Sequence, residues 1–110
     1  MIVASRLLKL RRGRNDIDVV VRIFAPQHEQ GSWSCQYEID WPEGTRQGAA
    51  AGYDSVQALL FALKMVGSEI YTSDYHKSGD LMWTAPRQGY GFPVSKTLSD
   101  LLEGEDAKFL

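Results

Sequence analysis

The stretch with the clearest chemical potential is "RQGYGFPVS" at residues 87–95. RNA-recognition motifs carry a strand that reads basic–Gly–aromatic–Gly–aromatic–aliphatic, and its rings stack on exposed bases. The "GYGF" of residues 89–92 has that order, but Gln88 stands at the basic position and Pro93 at the aliphatic one. Proline removes a donor from a sheet ladder. We therefore interpret the segment as a glycine-hinged loop whose two aromatic rings fill the core.

Few residues could support nucleophilic or metal chemistry. Cys35 is the only cysteine, and on a strand its side chain is expected to point inward, where a thiol behaves as a small apolar group. The two histidines, His28 and His76, are expected in exposed loops beside Glu29 and Asp74. A zinc site needs four ligands at recognisable spacing, which these residues do not supply. We expect no catalytic residue, no metal site and no cofactor.

Two charged segments and one run of small residues are further candidates. Four cations without an intervening acid surround the first turn: Lys9, Arg11, Arg12 and Arg14. They could grip phosphates, but no aromatic platform accompanies them, and a solvated hairpin end is the better interpretation. The acidic end of the chain (Asp100, Glu103, Glu105, Asp106) either docks onto these arginines or is a solvated terminus. "GAAAG" at 48–52 lacks the lysine and hydroxyl of a phosphate loop, so its small residues predict close packing of large neighbours.

Length and composition indicate an ordinary globular chain. The 110 residues suit one domain, residues 1–110. A net charge of −2 gives no global field that would attract nucleic acid or an anionic membrane. No apolar run approaches the roughly 18 residues of a membrane span. A single cysteine fits a reducing compartment, so a cytoplasmic location is expected.

The first half of the chain predicts an antiparallel meander of four strands. Residues 17–25 and 33–41 alternate between apolar and polar side chains, which is typical of half-buried strands. A turn at Gly13–Arg14 joins the first of these to the N-terminal strand and predicts three cross-strand pairs: Lys9 with Asp18, Leu7 with Val20, and Val3 with Phe24. A turn at 42–44 leads to the fourth strand, "TRQGAAAG".

The second half predicts one long helix and a C-terminal arm. Asp54 and Gln57 form a capping pair for a helix from about Ser55 to Thr72. Its expected core face is Val56, Leu59, Leu60, Leu63, Val66 and Ile70. Phe61 and Met65 lie outside this face, and we expect the arm, with a short helix at 95–103, to cover them. The predicted fold class is α+β: a four-stranded antiparallel meander with one long helix packed on one face and a C-terminal arm with a short helix.

The predicted register also gives a candidate interface. Four apolar side chains form a patch on the sheet face away from the helix: Val3, Leu7, Val20 and Phe24. Such a cluster with a charged rim is typical of a contact surface. Either the C-terminal arm or a second copy of the chain could cover it, the latter as a two-fold dimer. We favour the second copy, because the arm is expected on the far side of the helix.

The order of four motifs resembles a family of short bacterial proteins known only as a domain of unknown function. The motifs are W-x-C-x-Y-x-I (33–39), G-x-D-x-x-Q-A-L-x-x-A-L (52–63), L-x-W (81–83) and G-F-P (91–93). The resemblance spans residues 33 to 93. It implies a bacterial cytoplasmic origin and no particular activity, and most motif residues have structural roles in the predicted fold.

Function has to be inferred from a site, and the sequence presents no catalytic one. We expect a small non-catalytic protein-interaction module whose partner is another protein, including a second copy of itself in a homodimer. The alternative is a binder of a small apolar ligand between helix and sheet. A nucleic-acid binder comes third, an enzyme last, and no membrane partner is expected.

Overall fold

Six strands and one long helix form an α+β fold in the computed structural model, which describes residues 1–110. The antiparallel sheet and the single long helix of the predicted fold class are therefore confirmed. The strands are β1 (Ile2–Arg12), β2 (Asn15–Phe24), β3 (Gln27–Glu29), β4 (Ser32–Trp41), β5 (Gly44–Gly52) and β6 (Leu81–Met82). The helices are α1 (Ser55–Tyr71), α2 (Asp74–Lys77), the 3₁₀ helix Lys96–Leu101 and α3 (Gly104–Phe109).

The predicted count of four strands is wrong, although the four predicted strands are all present. β1, β2, β4 and β5 pair in chain order as an antiparallel meander. β3 continues the line of β2 along the same edge of β4, and β6 pairs with the free edge of β1 at Lys9 and Leu10. These extra strands have three and two residues, too few for period-two alternation to be visible in the sequence.

The predicted hairpin register holds over most of its length. Lys9 lies opposite Asp18 and Leu7 opposite Val20, as expected. The third predicted pair is wrong, because the register shifts between Ile2 and Ala4 and places Ile2, in place of Val3, opposite Phe24. An extra residue in one strand of an antiparallel pair forms a β-bulge, which turn chemistry at the other end of the hairpin cannot reveal.

The helix packs against the sheet through smaller residues than predicted. Its fully buried stripe is Ala58, Ala62, Val66 and Ile70, whereas Val56 is 71% exposed and Leu60 43% exposed. β5 explains the difference, because its Gly52 lies against the helix backbone, where a Cβ would come within 2.4 Å of the Ala58 nitrogen. Alanine side chains permit this close approach of helix and strand.

The N-terminus of α1 is capped as predicted. The Asp54 carboxylate accepts a hydrogen bond from the Gln57 amide at 2.7 Å. The Gln57 side chain in turn accepts from the Tyr53 amide at 2.7 Å. Two amides that helix geometry leaves without partners are thereby satisfied.

The C-terminal arm follows a different path from the predicted one. The arm crosses α1 at Gly67. A Cβ at that position would come within 1.8 Å of the Pro93 carbonyl oxygen. Phe61 and Met65 each remain 39% exposed, so the prediction that the arm covers them is wrong. Gly104, at φ +56°, is the first residue of α3. None of the helices has both the length and the hydrophobicity of a membrane span.

Candidate binding groove at the edge of the sheet

Strand β5 forms an edge of the sheet, because it pairs only with β4. The two strands are joined by a two-residue turn after Trp41, and Trp41 lies opposite Gly44. In such a hairpin the residues flanking the turn bond to each other, and bonding then alternates along the strand. The odd-numbered residues of β5 therefore direct their N–H and C=O groups away from β4: Thr45, Gln47, Ala49 and Ala51.

The second half of this edge has none of the features that usually protect one. Edge strands are commonly blunted by charged side chains, proline or bulges, but residues 48–52 read Gly-Ala-Ala-Ala-Gly. The glycines face inward for a packing reason, as the sequence predicted. At Gly48 a Cβ would lie 2.3 Å from the Tyr37 ring, and at Gly52 the helix is the neighbour. The result is an edge with little side-chain bulk.

A groove of about 720 Å³ runs between this edge and α1. We call it the edge groove. Ala49 and Ala51 border it on the strand side, Phe61 and Met65 on the helix side, and Ser95 lies where the arm approaches. Beyond Phe61, a depression of about 390 Å³ continues past Gly52 to the exposed ring of Tyr53. An unpaired strand and two partly exposed apolar side chains thus share one open surface.

The charge balance of the edge groove is positive. Glu69 is its only carboxylate, and it already accepts hydrogen bonds from Arg46 Nε at 2.8 Å and from the Tyr37 hydroxyl. Burial, reinforced by the neighbouring Glu69, raises the pKa of Tyr37, so its hydroxyl remains a proton donor. Lys64 and Lys96 also line the groove, and neither takes part in any of the ion pairs of the molecule.

The four predicted interface residues lie on the opposite face of the sheet. Val3 is 50% and Leu7 45% exposed, while Val20 and Phe24 are half-buried. Ion pairs flank them, including Lys9 with Asp18 at 2.5 Å and Arg22 with Asp40 at 2.6 Å. The structure thus places the four residues on the face away from α1, with the bulge putting Ile2 beside Phe24.

A buried polar cluster at the other end of α1 was missed by sequence reasoning. Asp106, only 3% exposed, accepts hydrogen bonds from the Tyr71 hydroxyl at 2.6 Å and from the amides of Tyr90 and Gly91 at 2.7 and 2.8 Å. The expectation of a solvated acidic end is wrong for this residue. One signal was available in the sequence: Arg6 occupies an inward position of β1, and a partly buried cation requires polar partners, which here are the carbonyls of Tyr90 and Gly91.

His76 belongs to the same cluster and does not lie in an exposed loop. Its Nδ1 is 2.6 Å from the Tyr90 hydroxyl, and its Nε2 is 3.7 Å from Glu103. Burial lowers the pKa of His76 and raises those of Tyr71 and Tyr90. These shifts favour the neutral form of all three groups near pH 7, and their hydrogen bonds join the helix, the loop and the arm.

The remaining sequence candidates have structural positions. Tyr90 and Phe92 are buried in a segment without strand pairing, each preceded by a glycine, with φ of +84° at Gly89 and +74° at Gly91, which confirms that this segment is a glycine-hinged loop whose rings fill the core. Cys35 is fully buried and donates from Sγ to the Phe24 carbonyl at 3.3 Å.

At the basic turn, Lys9 pairs with Asp18, and the Arg12 guanidinium lies 5.5 Å from the Tyr75 ring centre. Both side chains are therefore engaged within the molecule. Nowhere do three or more His, Cys, Asp or Glu side chains converge as a metal site would require.

Comparison with known proteins identifies the family. The model of a domain of unknown function, DUF6968, matches residues 4–94, and the chain therefore belongs to that family. The matched region includes the groove-lining residues of β4, β5 and α1 and ends just before Ser95 and Lys96. No curated protein and no solved structure matches the chain.

Proposed function

We propose that this DUF6968 domain is a small non-catalytic protein-interaction module that binds another polypeptide in the edge groove. The observation that carries the proposal is the unpaired edge of β5 beside the exposed Phe61 and Met65. An exposed sheet edge is a ready template for an additional strand, and several peptide-recognition domains bind extended segments in this way.

The groove offers both contributions that peptide binding needs. Outward backbone groups of β5 supply directional hydrogen bonds, and the apolar helix side chains supply area that a partner can bury. Burial of apolar surface contributes roughly 25 cal/mol per Å², so two partly exposed large side chains are a useful source of affinity. The polar cluster around His76, by contrast, has its hydrogen-bonding groups already engaged within the chain.

Panning a random twelve-residue peptide library against the folded protein tests this proposal. We expect enriched peptides to bind Phe61→Ser/Met65→Ser at least tenfold more weakly than wild type. Leu60→Ser is the matched control, because Leu60 is equally exposed on the same helix but does not line the groove. Equal binding to all three proteins, or no enriched peptide at all, would contradict the proposal.

A small apolar ligand between helix and sheet is the second candidate. A volume of about 720 Å³ lies within the range of roughly 300–1,000 Å³ that ligand sites occupy. The fluorescent dye anilinonaphthalene sulfonate is a suitable probe. Binding of the dye to wild type but not to Phe61→Ser/Met65→Ser, in the absence of any peptide binding, would favour this candidate.

Self-association through Val3, Leu7, Val20 and Phe24 remains part of the proposal. The exposure of Val3 and Leu7 on an otherwise charged sheet face supports it.

A cytoplasmic setting in a bacterium is also proposed. The cytoplasmic setting is supported by the single cysteine, Cys35, which is buried and has no partner for a disulfide within the chain.

A further inference from the structure

We infer that the occupant of the edge groove is an extended acidic segment of another protein, which adds to the sheet as a further strand beside β5. This inference rests on the proposed function, because it names the partner of the same groove.

The backbone of β5 sets the length of the partner segment. The outward-directed residues run from Thr45 to Ala51, and an antiparallel strand rises about 3.4 Å per residue. The usable edge is therefore about 20 Å long and matches six or seven extended residues. Ala49 and Ala51, which have the smallest side chains at outward positions, let a second backbone approach closely.

The helix sets the side-chain pattern of the partner. Side chains alternate between the two faces of a strand, so every second residue of the added strand points to the face on which α1 lies. Phe61 and Met65 border the groove on that face and favour apolar residues there. The flexible side chain of Met adapts to different apolar partners. The groove is therefore suited to peptides that share an alternating apolar pattern and differ in sequence.

Charge distinguishes an acidic partner from other occupants. Glu69 is already engaged by Arg46, which leaves Lys64 and Lys96 as unpaired cations in the groove. A carboxylate on the incoming strand would complement them, since opposite charges across an interface favour association and exclude wrong partners.

A second copy of this chain is a poorer occupant of the same edge. Residues 44–52 contain no acidic residue. Pairing β5 with β5 of a second copy would therefore bring the cations of two grooves together, and the only groove carboxylate, Glu69, is already engaged by Arg46. The acidic residue that closes the polar cluster, Asp106, is buried against its own chain and is not available to fill the groove.

The peptide library also tests the acidic preference. Peptides enriched on wild type are expected to carry Asp or Glu among alternating apolar residues, and to bind Lys64→Glu/Lys96→Glu at least tenfold more weakly. Panning against that variant should instead enrich Lys or Arg. Lys77→Glu/Lys108→Glu is the matched control, because it makes the same change of charge outside the groove. Binding to this control should remain within twofold of wild type.

A proline at the edge tests strand addition separately. Ala49→Pro removes one outward N–H without removing a bond to β4, and edge strands tolerate proline at such positions. We expect at least tenfold weaker peptide binding by Ala49→Pro, while Ala49→Val, which keeps the N–H, binds like wild type. Circular dichroism and a cooperative unfolding transition establish that each variant is folded.

The outcomes separate the inference from the proposed function. Peptides without acidic residues that still depend on Phe61 and Met65 would overturn the inference and leave the proposed function standing. Undiminished binding by Lys64→Glu/Lys96→Glu or by Ala49→Pro would also overturn the inference. A wild-type dimer that Ala49→Pro converts to a monomer would identify a second copy as the occupant. Absence of peptide binding to wild type would overturn both.

Discussion

Two ionisable side chains, the half-buried Arg6 and the buried Asp106, bind backbone groups of the same turn of the chain. Arg6 Nη1 donates to the carbonyls of Tyr90 and Gly91 at 3.0 Å each, and Asp106 accepts the amides of the same two residues. The Arg6 guanidinium also lies 3.9 Å from the Trp83 ring centre. Burial lowers the pKa of Arg6, and the charge of Asp106 opposes that shift. The two charges therefore stabilise each other across the intervening peptide groups.

Cys35 is expected to be unreactive in the native protein. Its side chain is fully buried, and burial raises the pKa of the thiol, so the reactive thiolate is scarce. A thiol-specific chromogenic reagent should label it only after denaturant is added. Rapid labelling of the folded protein would contradict the strand position assigned to this residue.

His76 is expected to make stability depend on pH. The pKa of His76 in the folded protein is lowered below 6.5. Between that folded pKa and 6.5, the imidazole is therefore protonated to a greater extent in the unfolded chain than in the folded one. The contribution of the neutral His76 to the free energy of unfolding is fully present above pH 6.5 and is lost as the pH falls through 6.5 towards the folded pKa. Urea unfolding at pH 7.5, 6.5 and 5.5 should show a smaller decline in the free energy of unfolding for His76→Gln than for wild type. Parallel declines would exclude His76 as the source.

At the scale of the element, the start of α1 depends on one side chain. Replacing Asp54 by alanine removes the hydrogen bond to the Gln57 amide and should lower the free energy of unfolding by about 1 kcal/mol. Asp54→Asn, which keeps a capping oxygen, should cost less. The measurement is the urea midpoint of each variant, and an unchanged midpoint for Asp54→Ala would mean that the cap contributes nothing.

The middle of α1 depends on the absence of a side chain. Glycine within a helix is about 1 kcal/mol less favourable than alanine, so Gly67→Ala would ordinarily stabilise the protein. Here the added Cβ meets the Pro93 carbonyl, and displacing the arm should cost about 1–3 kcal/mol. Thermal unfolding should show a lower midpoint for Gly67→Ala, whereas Val56→Ala, at an exposed helical position, should change little.

Elements with strong local patterning were predictable from sequence, and their mutual placement was less so. Period-two alternation located β2 and β4, and the capping pair located the start of α1. The predicted core face of α1 is correct at Val66 and Ile70 but wrong at Val56 and Leu60, which the pattern includes because large apolar residues usually mark a core face. The sequence could not show that the small residues of β5 bring the helix close enough for alanines to fill that position.

The same limit applies to the candidate groove. The sequence pattern correctly places Phe61 and Met65 outside the core face, but it predicts that the arm covers them, whereas both remain partly exposed. The path of the arm depends on the clearance at Gly67 and on the attachment of Asp106, both of which are long-range contacts. Local sequence patterns identify an apolar side chain without identifying which distant segment reaches it.

At the scale of the whole molecule, the sheet is covered on one face and open on the other. If the open face mediates a two-fold dimer, Leu7→Glu/Phe24→Glu should elute as a folded monomer in size-exclusion chromatography with light scattering, and wild type as a dimer. Charge repulsion across the contact is the physical reason. Lys64→Glu/Lys96→Glu, altered only in the groove, should remain dimeric. A monomeric wild type at high micromolar concentration would end the dimer hypothesis.

The attachment of Asp106 to the loop has a consequence for amide hydrogen exchange. Tyr90 and Gly91 belong to no helix or strand, and amides in such segments commonly exchange quickly with solvent. Their N–H groups, however, end on a buried carboxylate that belongs to α3. Exchange of their hydrogens therefore requires that the bonds to Asp106 break, as they do when α3 separates from the loop. The exchange rates of these two amides report the opening equilibrium of a helix that lies more than ten residues further along the chain.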